Sequence, residues 1–191
     1  MVFNLPNSLT WARILLIPLF IGVYYLPHSW LGPTEQNVFA TVIFIAAALT
    51  DWLDGYLARS LGQTSAFGAF LDPVADKLMV AAALLILVEL DRVNAVIALI
   101  IIGREVAVSA LREWMAKIGA AKRVAVSVLG KVKTTSQMVA IPLLLFHDDL
   151  FGMDTHHVGG MLIAVAAALT LWSMAYYLRA AWPLLSQGAE G

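Results

Sequence analysis

Between Asp51 and Asp76 the chain reads DWLDGYLARSLGQTSAFGAFLDPVAD, with Asp51 and Asp54 three apart and Asp72 and Asp76 four apart. On helices, each pair shares a face. An apolar run precedes the first pair and another follows the second, and the connection between them holds Gly62 and Gly68. An antiparallel hairpin would bring the four carboxylates to one depth. Four such charges beside hydrocarbon repel one another and resist desolvation, and a hard divalent cation relieves both effects. An all-oxygen donor set suits Mg2+, Mn2+ or Ca2+, and Mg2+ is commonly shared between carboxylates and substrate phosphates. The pattern therefore predicts a phosphate-bearing substrate. Gly55 and Ala58 leave space on or near the face of Asp51 and Asp54, and Arg59 offers a fork suited to phosphate. Gly68 is where another backbone or a flat base can approach closely.

A second chemistry-bearing stretch runs from Gly103 to Met138. Arg104 and Arg112 are eight apart, hence about 80° apart around an ideal helix, and can line one cavity. With Lys131 and Lys133 they aim four cations at the acidic site. An acceptor carrying its own phosphate fits these charges better than serine, choline or ethanolamine. Glu105 and Glu113 adjoin the arginines and are expected to orient them or temper their field. Arg104 interrupts an apolar run, where a guanidinium needs a partner. Lys117, Lys122 and Arg123 read instead as topology-setting charges near anionic headgroups. His147, His156 and His157, with Asp148, Asp149 and Asp154, read as a solvated interfacial tract rather than a metal cluster.

These residues need apolar helices to position them. The chain has 191 residues, 61% of them hydrophobic, and a mean hydropathy of +0.82, too apolar for a soluble surface. Apolar runs of about 20 residues suit bilayer spans. They can be laid out near 10–27, 36–58, 73–90, 93–115, 125–147 and 157–182. The expectation is an all-α integral membrane protein: one domain over 1–191, six transmembrane helices and a short N-terminal interfacial segment. The first run is expected to stay in the mature protein, since Arg13 and Pro18 interrupt it and no small-residue cleavage site follows. Cysteine is absent, so thiolate chemistry and disulfides are excluded. The net charge is only −1, and no nucleic-acid partner is expected. With alternating spans and a cytoplasmic N-terminus, every lysine and arginine but Arg92 falls on the cytoplasmic side, while Glu35, Glu89, Asp91, Asp148, Asp149 and Asp154 fall outside. The carboxylate stretch then faces the cytoplasm. Trp30, Trp52, Trp114, Trp172 and Trp182 sit near proposed span ends as interfacial anchors.

The stretch Asp51-x2-Asp54-Gly55-x2-Ala58-Arg59-x8-Gly68-x3-Asp72-x3-Asp76 resembles the signature of the CDP-alcohol phosphotransferase family at all eight defined positions. The resemblance implies a six-span homodimer in which an acceptor alcohol displaces CMP from a CDP-linked lipid over a two-metal site, with Mg2+ or Mn2+ as the ions. It makes Asp51, Asp54 and Asp72 metal ligands and Asp76 both ligand and general base. It places Gly55, Arg59 and Ser65 on the CDP moiety. The segment Asn4-Leu5-Pro6-Asn7-Ser8-Leu9-Thr10, with Arg13, resembles the family's entry segment, in which Asn7 and Thr10 line the nucleotide pocket; the same residues also suit a helix start. The texture SALREWMAKIG…VSVLGKVKTTSQM is similar to bacterial members whose acceptor is sn-glycerol 3-phosphate. That likeness implies CDP-diacylglycerol as donor, membrane lipid as surroundings and the bacterial inner membrane as location. Within the class, inositol phosphate or phosphatidylglycerol are alternative acceptors. Outside it, an ion-coupled transporter or a membrane prenyltransferase would also use buried acids.

Overall fold

The computed structural model describes residues 5–61, 66–118 and 128–187, which form helices joined by short turns. Six helices follow in order: α1 (Leu5–Tyr25), α2 (Pro33–Leu61), α3 (Ala66–Glu89), α4 (Ala95–Lys117), α5 (Val128–Phe146) and α6 (Thr155–Gln187). All six expected runs lie largely on these helices. α1 is continuous from Leu5, so residues expected to form a separate interfacial segment are its first turns. α2 also runs past its expected span end through Arg59 to Leu61, and α6 past its own through Pro183 to Gln187.

The turns explain where helices stop. Asp91 takes a left-handed φ of 56°, while the Arg92 N–H donates to the Leu87 carbonyl (2.8 Å) and the Asp91 N–H to the Val88 carbonyl (3.1 Å). This pattern closes a helix C-terminus by satisfying its last carbonyls. Asn94 then caps α4, its side chain accepting from the Val96 N–H at 2.8 Å. Asp154 starts α6 in the same manner, accepting from the His157 N–H at 2.9 Å. That bond holds the exposed Asp154 carboxyl below its usual pKa range. Part of the acidic, histidine-containing tract thus has a structural duty, and His147 and His156 meet edge to face at 5.0 Å.

The core is apolar and tight. Phe20 of α1, Phe44 of α2, Leu84 and Leu87 of α3, Ile101 of α4, Ile141, Leu144 and Leu145 of α5, and Ile163 of α6 are all fully or almost fully buried. α5 packs most extensively on α6, and α1 on α2. At Gly159 an added Cβ would lie 2.8 Å from Leu144 Cγ and 3.3 Å from the Ala140 carbonyl, so α6 approaches α5 where only glycine fits. Leu15, Leu19, Leu85, Leu99, Val106 and Trp172 are instead more than half exposed on the outside. Among the described residues, two helices, over Ser8–Tyr25 and Thr155–Arg179, are long and apolar enough to cross a membrane. In α2, α3 and α4 the apolar stretch is broken by site residues: Asp51, the run from Asp72 to Lys77, and the pair Arg104 and Glu105.

Candidate functional site

Alternating helix direction puts the starts of α1, α3 and α5 and the ends of α2, α4 and α6 at one end of the bundle. Side-chain bonds tie them there. From α1, Arg13 Nη1 lies 2.9 Å from Asp51 Oδ1 on α2, and Thr10 Oγ1 donates to Asp72 Oδ1 on α3 at 2.5 Å. Lys77 of α3 donates to Ser109 of α4 at 2.5 Å. Lys133 of α5 is ion-paired with Glu105 of α4, whose Oε1 also takes Arg104 Nη1 at 2.8 Å. Arg112 donates to the Tyr177 hydroxyl of α6 at 2.9 Å.

Asp51, Asp72 and Asp76 therefore share one end of the bundle. Asp76 lies close enough to Asp51, Arg13, Glu105 and Lys77 to feel the charge of each. Arg13 and Asp76 also line a common small void with Phe44, Ala47 and Met79. Among the described residues no three acidic or imidazole side chains gather closely enough to hold a metal ion. The side chains of Asp54, Gly55, Arg59, Asn7 and Lys131 lie outside the described residues, as does Ser65 altogether, so their expected roles do too. Gly68 is buried on α3, near its start.

The cationic residues converge through aromatic and acidic partners. Arg104 and Arg112 both lie against the Tyr177 ring, at 5.9 and 5.3 Å from its centroid. These distances are within cation–π range. Arg104 and Lys133 are buried, whereas Arg112 is exposed. Glu105 does orient an arginine, as expected. Glu113 does not: its carboxylate pairs with Lys117 at 2.9 Å, one helical turn on, while Arg112 turns toward α6.

A cavity of about 70 Å³ joins the two halves of the site, lined by Asp76, Lys77, Glu105, Thr134 and Gln137 over Val80 and Met138. A larger groove of about 390 Å³ between α4 and α6 is walled mainly by apolar side chains such as Leu111, Trp114 and Met174. Its described lining offers no carboxylate, unlike that of the smaller cavity. Arg13, Tyr177 and Gln137 are the site residues that reasoning from sequence left without these roles. Tyr177 and Gln137 had one available signal, a polar side chain inside an apolar helix.

Comparison with known proteins finds relatives along almost the whole chain. The CDP-diacylglycerol–glycerol-3-phosphate 3-phosphatidyltransferase of Shigella flexneri serotype 5b is 50% identical over 183 residues, covering 95% of this chain and 96% of the relative. The enzymes of the same name from Salmonella typhimurium and Escherichia coli are each 49% identical over the same coverage. The family described as CDP-alcohol phosphatidyltransferase matches residues 3–172, and this chain belongs to it.

Proposed function

We propose that this protein transfers the phosphatidyl group of CDP-diacylglycerol to sn-glycerol 3-phosphate, giving phosphatidylglycerophosphate and CMP. The observation that carries the reading is the cavity with Asp76 on one side and Glu105, held by Lys133 and Arg104, on the other. A carboxylate near cations suited to an acceptor's phosphate supports this reading. The names of the half-identical relatives support the same donor and acceptor.

In this reading Arg104, Arg112, Lys131 and Lys133 hold the acceptor phosphate, and Asp76 takes the proton of its terminal hydroxyl. That oxygen attacks the phosphorus bearing diacylglycerol. The bond from this phosphorus to the CMP oxygen breaks, and CMP leaves with the bonding electrons. Because a carboxylate is a weak base for an alcohol, proton transfer accompanies attack. Asn7, Thr10, Gly55, Arg59, Ser65 and Gly68 form the cradle of the CDP-lipid. Asp51, Asp54, Asp72 and Asp76 would hold a divalent metal pair, Mg2+ or Mn2+: the donors are oxygens only, as such ions prefer. When bound, these ions neutralise the pyrophosphate and stabilise the departing CMP. The protein's own part is orientation. Arg13 fixes Asp51 and Thr10 fixes Asp72, so both carboxylates are held by α1.

The same reading makes the whole chain one six-span domain of the bacterial inner membrane, a homodimer with its site toward the cytoplasm. Polar side chains inside and apolar ones outside support it: Arg13, Lys133, Gln137, Thr170 and Ser173 are buried, while leucines line the exterior. The test is CMP release by purified protein over a panel of acceptors. Release with sn-glycerol 3-phosphate that requires a divalent ion and CDP-diacylglycerol is expected. Release with inositol phosphate instead would replace the acceptor, and none with any acceptor would overturn the enzyme reading.

A further inference from the structure

Gln137 lies on α5 one turn beyond Lys133, is 4% exposed, and presents a carboxamide to the cavity that Asp76 and Glu105 share. The charged groups there are engaged. Lys77 donates to Ser109, Glu105 accepts from both Lys133 and Arg104, and Asp76 is the base of the proposed reaction. A carboxamide offers both a donor and an acceptor, the pair that reads a neutral hydroxyl. The cavity's 70 Å³ is small. It exceeds the roughly 10–15 Å³ of such volume that one water needs, and so admits a few heavy atoms.

We infer that Gln137 reads the middle hydroxyl of the acceptor and makes the enzyme selective for a three-carbon phosphate that carries one. The inference rests on the proposed function and follows from the order of groups in that acceptor. Its phosphate is on one terminal carbon and its attacking hydroxyl on the other. With the phosphate on the Glu105 side, where Lys133 and Arg104 lie, and the attacking oxygen at Asp76, the middle hydroxyl falls in the cavity that Gln137 lines. A buried carboxamide left facing a CH2 group loses its water without gaining a partner, and a site built to bond a hydroxyl rejects the analogue lacking it.

The experiment compares sn-glycerol 3-phosphate with 3-hydroxypropyl phosphate, which lacks only the middle hydroxyl, in the full-length enzyme and in Gln137→Met. The parent enzyme is expected to prefer sn-glycerol 3-phosphate at least tenfold in kcat/KM. Gln137→Met should lose that preference, chiefly by losing rate with sn-glycerol 3-phosphate, while its KM for CDP-diacylglycerol stays within twofold. Gln137→Asn keeps the carboxamide and should retain part of the preference, which also covers failure of the Met variant to fold. A parent enzyme that uses both acceptors equally, equal losses with both in Gln137→Met, or a preference that survives the substitution would overturn the inference and leave the proposed function standing. Absence of CMP release from the parent with either acceptor would overturn both.

Discussion

A guanidinium that is 1% exposed needs a counter-charge within the protein, and Arg13 has one in the carboxylate of Asp51, 2.9 Å from its Nη1. In sequence Arg13 reads only as a charge inside an apolar run. Its partner is 38 residues away on another helix, a contact with no local signature. The acids were legible because their i,i+3 and i,i+4 spacing places them on helix faces without any tertiary knowledge. Arg13→Met keeps much of the side-chain volume but removes the charge beside Asp51 and Asp76. We expect a stability loss of about 1–3 kcal/mol, limited because half-exposed Asp51 can regain water. Thermal unfolding in detergent measures this, alongside a fall of at least tenfold in CMP release. Arg13→Lys, which retains charge without the fork, should fall between the two. A Met variant as stable and active as the parent would show the pair to be idle.

Whole helices decide which side chains meet, and α6 illustrates how little of that a sequence exposes. Its apolar run marks a helix plainly. Nothing in the run announces that Tyr177 gathers Arg104 and Arg112, or that Gly159 sets the distance to α5. Gly159 and Gly160 look alike in sequence, yet an added Cβ at Gly160 meets nothing within 4 Å, whereas one at Gly159 strikes the branch carbon of Leu144. Gly159→Ala should therefore destabilise the protein by about 1–3 kcal/mol, the usual range for overpacking. Gly160→Ala should be neutral or slightly stabilising, because alanine favours a helix. Unfolding temperatures of the two variants check the contrast, and equal values would refute the close approach. The turns behaved similarly. Acids such as Asp91 and Asp154 read as mere external charge, but they close α3 and open α6.

At the scale of the molecule, three cations, Arg13, Arg104 and Lys133, are buried at one end of the bundle, while large apolar side chains such as Leu15, Leu85 and Leu99 are exposed on its outside. The proposed site at the end of an apolar bundle suits an enzyme whose donor is a lipid and whose acceptor is a water-soluble phosphate. Orientation then decides which pool of acceptor is reached, and the charge asymmetry along the sequence predicts the cytoplasmic one. Arg92, the apparent exception, is held by the Leu144 and Leu145 carbonyls at 3.1 and 2.8 Å and by Asn37 at 2.9 Å. It closes the end of α5 and so has a structural reason to lie opposite the other cations. Because the chain has no cysteine, single introduced thiols can map its two ends. Phe151, fully exposed in the α5–α6 turn, marks the end away from the site, and Lys117, 73% exposed at the end of α4, marks the site end. With a membrane-impermeant maleimide, Phe151→Cys should be labelled in cells whose inner membrane is intact. Lys117→Cys should be labelled only after that membrane is broken. The reverse pattern would turn the carboxylates outward, and labelling of both in intact cells would mean that no bilayer separates them.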